Sequence, residues 1–495
     1  MSSNKKFKMP SALTILFCIV VFVAVLTWFI PAGQYDLKTI LRPDGTLEQV
    51  PLPGTYHSVI SNKQGLSNIF YSPIKGFVSS IDIGIYLMIM SGFIALVMKT
   101  GAISAGISHL TKKLSGKEIL LIPLLMFLFS LCSTILGFWE ETLGFYILVV
   151  PVFVAAGYDA IVGLFVVIWG AGLGLIGSTI NPFATGIASE LANVPIGTGM
   201  FLRFVIYILF FTIGTIYIMR YAKKIKNDPS ASLVYHLKKT HEEHFLDNID
   251  NTCNRITHIQ KRILFVFACL FLILIIGVLP WKEFNIYLFD DIKIWILSVP
   301  ILGDILGPFP AAQWKIPHLS LLFLVASILV GFLGKFTEDD FISTFFSGVA
   351  DIMSVVFVIA IANGVKIIMD DGLITHTILS YGERILSNFS GSVFSCASFL
   401  FYLPLSFLIP SSTGLAALSI PLLAPLANIV GVGREIVVTA YQTANGLINL
   451  IAPTSAVLMG ALTITKIPYS VYIKSILKLL IIIVVILLLI LSLIG

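Results

Sequence analysis

Apolar residues in this chain are gathered into long unbroken runs, not spaced at helical or strand period, which is the pattern of segments surrounded by lipid or protein on every side. By the ~20-residue criterion for crossing a bilayer, spans are predicted at about 12–30, 80–98, 200–219, 263–280, 318–334, 346–368 and 468–494. Two further runs, 161–193 and 435–464, are interrupted by Gly177-Ser178-Thr179-Ile180-Asn181-Pro182 and by Pro453-Thr454-Ser455. Between the spans lie two paired runs, 119–157 and 393–430. Their arms of roughly 15 residues are short for two full crossings at ~1.5 Å per residue, so re-entrant hairpins are predicted, with polar tips at 139–144 and 409–414. The expected fold class is an all-α polytopic membrane protein of about eleven transmembrane helices.

Loop charge sets the expected orientation. Residues 99–118 carry Lys99, Lys112, Lys113 and Lys117, and 220–262 carry nine Lys or Arg, so both are expected in the cytoplasm with the N-terminus. The segments 31–76, 281–317 and 370–392 then fall outside, and so does the C-terminus. Lys5, Lys6 and Lys8 before an apolar run resemble a signal peptide, but 11–30 is long enough to span and Pro31-Ala32-Gly33 is a weak cleavage signal, so it is kept as a first span.

That orientation exposes a repeat. Met98-Lys99-Thr100-Gly101-Ala102-Ile103-Ser104 matches Met369-Asp370-Asp371-Gly372-Leu373-Ile374-Thr375 at an offset of 271, which recurs at Pro182 and Pro453, while Pro151 and Pro421 differ by 270. Each copy continues with an amphipathic stretch, a hairpin, a broken span and a terminal span. Opposite loop charges make the copies inverted, a transporter signature. The expected layout is a first repeat over 1–222, then a cytoplasmic loop, linking helix and extracellular segment over 223–317, and a second repeat over 318–495.

The candidate chemistry sits in the tips and breaks. A carboxylate near a bilayer centre costs about 2.5–3.5 kcal/mol, so Glu140 and Glu141 are expected to face a partner, a cavity or a substrate. Each break frees half-helix N–H groups and carbonyls, which Ser178, Thr179, Asn181 and Thr185, or Gln442, Asn445, Asn449, Thr454 and Ser455, surround. These side chains either bind solute or only satisfy the backbone freed by Pro182 and Pro453. Aligning Gly144 with Gly414 sets Glu141-Thr142 against Ser411-Ser412, an anionic half-site against a neutral one. That suits a ligand with a cationic group near Glu140 and Glu141 and an anionic or neutral group near Ser411, Ser412 and Thr413. Alternatively, one Glu is protonated by desolvation and carries a proton. Lys366, four residues before Asp370, reads as its partner at the outer surface.

Composition narrows the classes. With 57% hydrophobic and 12% charged residues the chain is far from the ~25% charged residues of soluble proteins. A net charge of +5 confined to a few loops points to topology, with no nucleic-acid partner. Five scattered cysteines (Cys18, Cys132, Cys253, Cys269, Cys396) suggest neither a disulfide framework nor zinc. Gly172-Leu173-Gly174-Leu175-Ile176-Gly177 matches a dinucleotide fingerprint but lies inside an apolar span, where small residues serve close helix packing. His241-Glu242-Glu243-His244 reads as a solvated segment. No phosphate-binding loop and no catalytic triad or metal set is visible, so neither a primary pump nor an enzyme is expected. A channel would instead show pore-lining rings in a symmetric oligomer.

Phe7-Lys8-Met9-Pro10, Ile30-Pro31-Ala32-Gly33, Gly137-Phe138-Trp139-Glu140-Glu141, Asn181-Pro182-Phe183, Pro410-Ser411-Ser412-Thr413-Gly414 and Pro453-Thr454-Ser455-Ala456, in this order, resemble the YfcC-like branch of the anaerobic dicarboxylate carrier family, within the ion transporter superfamily. The resemblance runs nearly end to end. It implies an elevator-type secondary transporter of the cytoplasmic membrane, with a dimerising scaffold and a mobile domain of hairpins and broken helices. Its partners would be a small-molecule substrate, the lipid bilayer and a second copy of the chain. The substrate site would comprise Glu140, Glu141, Thr142, Ser178, Thr179, Asn181, Ser411, Ser412, Thr413, Asn445, Asn449, Thr454 and Ser455. No cofactor is implied beyond a coupling sodium ion or proton; sodium has no firm site, and Ser178, Asn181 and Thr454 are its candidates. The family name suggests four-carbon dicarboxylates, whereas some relatives look like arginine/ornithine exchangers. The Glu pair leans the reading toward a basic amino acid, with a sodium- or proton-coupled dicarboxylate as the alternative.

Overall fold

The computed structural model describes residues 12–41, 47–103, 105–106, 109, 117–246, 256–278, 281, 286–298 and 314–494. Lys5, Lys6, Lys8, Lys112, Lys113, Cys253 and most of 281–313, the segment expected outside, lie outside the described residues. The first half runs α1 (Ala12–Phe29), β1 (Gly33–Gln34), β2 (Leu37–Leu41), β3 (Leu47–Pro51), β4 (His57–Ser58), α2 (Leu66–Ser79), α3 (Ile81–Lys99), α4 (Leu121–Leu136), α5 (Leu143–Ala155), α6 (Ala160–Ile176), α7 (Ile187–Leu191) and α8 (Met200–Asn227). The second continues through α9 (Lys238–Leu246), α10 (His258–Val278), α11 (Leu288–Ser298), α12 (Ile316–Leu333), α13 (Glu338–Asp371), α14 (Thr375–Leu386), α15 (Gly391–Leu408), α16 (Ser412–Ile429), α17 (Arg434–Asn449), α18 (Ala456–Ile464) and α19 (Tyr469–Ile494). Among the described residues, eight helices are long and apolar enough to cross a membrane. The apolar stretches of α1 and α6 are shorter, 17 residues each.

Two expectations change. The segment 31–76 is not all loop: β1 pairs with β4 and β2 with β3, both antiparallel, and then α2 forms. It buries Ile69, Ser72 and Gly76 against α13, where a Cβ on Gly76 would meet Ala360 O at 2.0 Å. Across Ser80, α2 and α3 cover 66–99, the same 34-residue length as α13. The long helix of the second half thus has a two-piece counterpart in the first. The second paired run is also longer than expected, 18 residues in each of α15 and α16, because Pro404, Pro421 and Pro425 are absorbed inside the helices rather than ending them.

Contacts divide the helices into two groups. α13 packs along α1, α2 and α3, and α12 joins α3 to α10. In the other group α4 and α5 pack on α6, α15 and α16 pack on α17, and α6 and α17 pack on each other. α18 and α5 bridge the groups by touching α13 and α3 respectively. The connecting loops also sort into two faces. On one, Tyr35 Oη donates to Glu383 at 2.6 Å, Thr377 Oγ1 to Pro31 O at 2.7 Å, and Arg434 to Ala192 O at 2.9 Å. On the other, Lys99 pairs with Asp340 at 2.9 Å, Lys226 donates to Ala156 O at 2.5 Å and Gln260 to Thr100 O at 3.4 Å. Both ends of the α4–α5 pair lie on the second face, and both ends of α15–α16 on the first.

Candidate functional site

The core of the site is the crossing of α6 and α17, and glycine makes it possible. A Cβ on Gly172 would sit 2.4 Å from Leu450, one on Gly446 2.8 Å from the Ile176 amide nitrogen, one on Gly174 2.3 Å from Ser130 O, and one on Gly177 2.5 Å from the Tyr207 Cα. The glycines of the apparent dinucleotide fingerprint therefore seat α6 against three neighbours at once, with no room for a phosphate.

Just past this crossing both helices stop. α6 ends at Ile176 and α7 begins at Ile187; α17 ends at Asn449 and α18 begins at Ala456. Backbone freed at such depth needs partners. Ser178 and Thr185 hydroxyls lie 2.7 Å apart, Thr185 Oγ1 also donates to Gln442 Oε1, and Gln442 Nε2 donates to Ile176 O at 3.3 Å. One side chain of the second half thus ties off the first break. Ser455 caps α18 by accepting from Leu458 N.

Each hairpin tip reaches its own break. At the first, Gly137 adopts a left-handed φ of 71° as the C-cap of α4, directly over Asn181, whose Oδ1 accepts from Ala184 N at 3.2 Å. Thr134 of α4 links to Thr179, its Oγ1 accepting from Thr179 N at 3.1 Å, while Ser133 Oγ donates to Phe138 O. Thr142 is buried and donates to Trp139 O at 2.5 Å. At the second tip, Asn445 and Asn449 both donate to Pro410 O, at 3.4 and 3.3 Å, and Ser412 Oγ donates to Asn445 Oδ1 at 2.9 Å. Tyr441 Oη donates to Ser412 O and Thr454 Oγ1 to Phe407 O. No hydrogen bond or ion pair joins the two tips among the described residues.

Most polar residues expected at the site, namely Thr142, Ser178, Thr179, Asn181, Ser412, Asn445, Asn449, Thr454 and Ser455, are therefore spent on hydrogen bonds within and between the tips, breaks and hairpin arms. The remaining four are Glu140, Glu141 and Thr413, half-buried, and Ser411, exposed. Glu140 and Glu141 are half-buried on a single 3-10 turn beside Tyr86, and Glu141 accepts from Trp139 N at 3.2 Å. Neither is in an ion pair among the described residues. Ser411 Oγ accepts from Gly414 N at 3.3 Å and lies 3.4 Å from Thr413 Oγ1. Lys366 departs from its expected place: it forms no ion pair with Asp370 within 4 Å, and Asp370 Oδ1 accepts from Thr375 instead. Its Nζ lies 3.5 Å from where a Cβ on Gly414 would be, at the second tip. The i, i+4 spacing misled because a third element, α16, passes the same point. Thr134 and Tyr441 went unrecognised as partners; polar groups on the inner stripe of an apolar arm are their only signal.

His241-Glu242-Glu243-His244 is part of α9: Glu242, Glu243 and His244 are exposed, as expected of a solvated segment, while His241 and Phe245 are buried. His241 Nε2 lies 3.4 Å from Lys466 O, and Lys466 Nζ 3.0 Å from His244 Nδ1. Nearby Asp159 caps α6 and accepts from Tyr221 at 2.8 Å and Ser232 at 2.6 Å. Among the described residues no group of His, Cys, Asp and Glu could hold a metal.

A polytopic helical chain whose helices break around hairpin tips is a membrane transporter. A family model described as "C4-dicarboxylate anaerobic carrier" (DcuC) matches residues 9–494, and the chain belongs to that family. It is 28% identical over 508 aligned residues to a "putative basic amino acid antiporter YfcC" of Escherichia coli K12, covering 95% of this chain and 93% of that one. An uncharacterised Haemophilus influenzae protein is 31% identical over 515 aligned residues, covering 96% and 95%. Among solved structures, the Alcanivorax borkumensis YdaH transporter aligns over 98% of both chains at 15% identity and a TM-score of 0.41. The Neisseria gonorrhoeae efflux pump MtrF aligns over 98% of this chain and 95% of its own at 15% and 0.42.

Proposed function

We propose that the chain is a secondary active transporter that exchanges basic amino acids of the arginine/ornithine kind. The observation that carries this reading is the pair Glu140 and Glu141, two adjacent carboxylates at a hairpin tip with no cation paired to them among the described residues. A guanidinium or ammonium group on the solute would supply that cation, and charge-assisted bonds are about twice as strong as neutral ones. The relative described as a basic amino acid antiporter agrees. Thirteen residues form the proposed site; Glu140, Glu141, Ser411 and Thr413 would touch solute, and the remainder would hold the tips and breaks in place.

Movement is by an elevator. The group of α4 to α8 with α15 to α19 would shift against the group of α1, α2, α3, α12 and α13, with the latter forming a homodimer. Two inverted repeats, 1–222 and 318–495, would meet at the midplane with re-entrant hairpins entering from opposite sides. Support comes from the hairpin ends, which lie on opposite faces of the molecule. The face bearing Lys99 and Lys226 would be cytoplasmic, and the C-terminus outside.

The test is counterflow in proteoliposomes loaded with unlabelled arginine or succinate, with and without a sodium gradient. Arginine counterflow that is lost in Glu140→Gln and Glu141→Gln, with folded protein retained, is the expected result. Sodium-driven succinate uptake without arginine exchange would overturn the substrate and return the site to the dicarboxylate reading, with Ser178, Asn181 and Thr454 as its sodium ligands.

A further inference from the structure

The proposed site has its anionic side on one tip only. On the other, the chain places an ammonium. Lys366 lies five residues before the end of α13, and its Nζ and the Ser411 hydroxyl both lie within 3.5 Å of where a Cβ on Gly414 would be, with the Thr413 hydroxyl 3.4 Å from that of Ser411. It is half-buried, has no carboxylate within 4 Å among the described residues, and makes no hydrogen bond there; Asp370, one turn on, is close enough to feel its charge but spends an oxygen on Thr375. A lysine ammonium is strongly hydrated, so holding it half out of water without an anion is costly unless something else supplies one. At the position 271 residues earlier, the first half carries Ala95, so the charge belongs to one tip alone.

We infer that Lys366, with the Ser411 and Thr413 hydroxyls, binds the carboxylate of the transported solute, making the second tip the acid-recognising end of the site. This rests on the transporter reading above and narrows its substrate class to solutes bearing a carboxylate on the side away from Glu140 and Glu141. Lys366 belongs to α13, whereas Ser411 and Thr413 ride on the hairpin. The carboxylate is therefore held between the two helix groups, and sliding one past the other breaks the contact. In the elevator picture, Lys366 grips the solute on one side of the membrane and frees it on the other.

The experiment compares uptake of labelled arginine with competition by agmatine, which is arginine without its carboxylate, and labelled succinate with competition by succinamide. Wild type, Lys366→Met and Lys366→Arg are reconstituted side by side, each first checked for monodispersity. Wild type should prefer arginine to agmatine; Lys366→Met should lose that preference by about tenfold or more, the order of a charge-assisted contact, and Lys366→Arg should keep most of it. Arginine uptake with the preference intact in Lys366→Met overturns the inference and leaves the basic amino acid reading standing. If wild type carries only succinate, the amino acid reading fails; succinate uptake cut in Lys366→Met and retained in Lys366→Arg would still uphold Lys366, and uptake unchanged in both would sink it. Should Lys366→Met not reconstitute, Lys366→Gln takes its place, being polar and of similar reach.

Discussion

Gln442 ties the second half of the chain to the break in the first, and its worth can be measured. It accepts from Thr185 and donates to Ile176 O, the last carbonyl of α6. In Gln442→Met the volume is kept but both bonds go, and Ile176 O is left buried among apolar neighbours. An orphaned buried acceptor costs about 1–3 kcal/mol, which sets the size of the single substitution. Thr185→Val should cost at least as much, about 1–3 kcal/mol, since it gives up the bonds to Ser178 within its own break along with the one to Gln442. Interhelical hydrogen bonds inside membranes couple by about 0.6 kcal/mol on average and ~1.7 at most. The pair should therefore show a coupling of roughly that size in a double-mutant cycle, followed as reversible unfolding in mixed micelles. Additivity within about 0.3 kcal/mol would refute the link between the breaks.

Gly137→Ala forces a Cβ into a left-handed residue, at about 1–2 kcal/mol, and to within 2.6 Å of Asn181 Oδ1; arginine exchange should fall by about tenfold, whereas Gly197→Ala, at a position open on all sides, should leave it unchanged. Burial holds the His241 ring below the usual histidine value near 6.5, partly offset by its bond to Lys466 O and by Asp159, and reinforced by the charges of Lys466 and His236. The packing of α9 that needs a neutral ring is thus fully present above about pH 6.5 and lost as pH falls through the lower folded-state value. Hydrogen exchange of the α9 amides, corrected for intrinsic rate, should rise as the pH falls below the usual histidine range, and pH-independent protection would contradict this. In a cysteine-free background, single cysteines at Lys117 and Glu383 should label from opposite sides of the membrane; labelling from one side ends the inverted arrangement.

What could be read without coordinates were the features that violate the membrane's rules. Gly137, Pro182, Pro410 and Pro453 interrupt apolar runs, and Glu140 and Glu141 stand where carboxylates are expensive, so tips and breaks announced themselves. Hidden were the elements whose reason lies in another part of the chain. α2 looks like loop because Ser67, Asn68, Ser72 and Lys75 dilute its apolar residues; its helix exists to lay Ile69 and Gly76 on α13. Lys366 follows local spacing to Asp370, and only the passage of α16 redirects it. The polar residues around the breaks could not be divided in advance into those that hold backbone and those that face solute, because that division depends on which carbonyl of a distant hairpin comes within 3 Å or so of each hydroxyl or amide.

The glycine crossing of α6 and α17 limits how a solute can pass. With Gly172 on Leu450 and Gly446 on the backbone at Ile176, neither broken helix can tilt without driving side chains of one half into main chain of the other. The two breaks therefore behave as one solid block. If they move as one block, an empty carrier should show very little uncoupled flux. A bulkier residue at either glycine would be felt first as a leak.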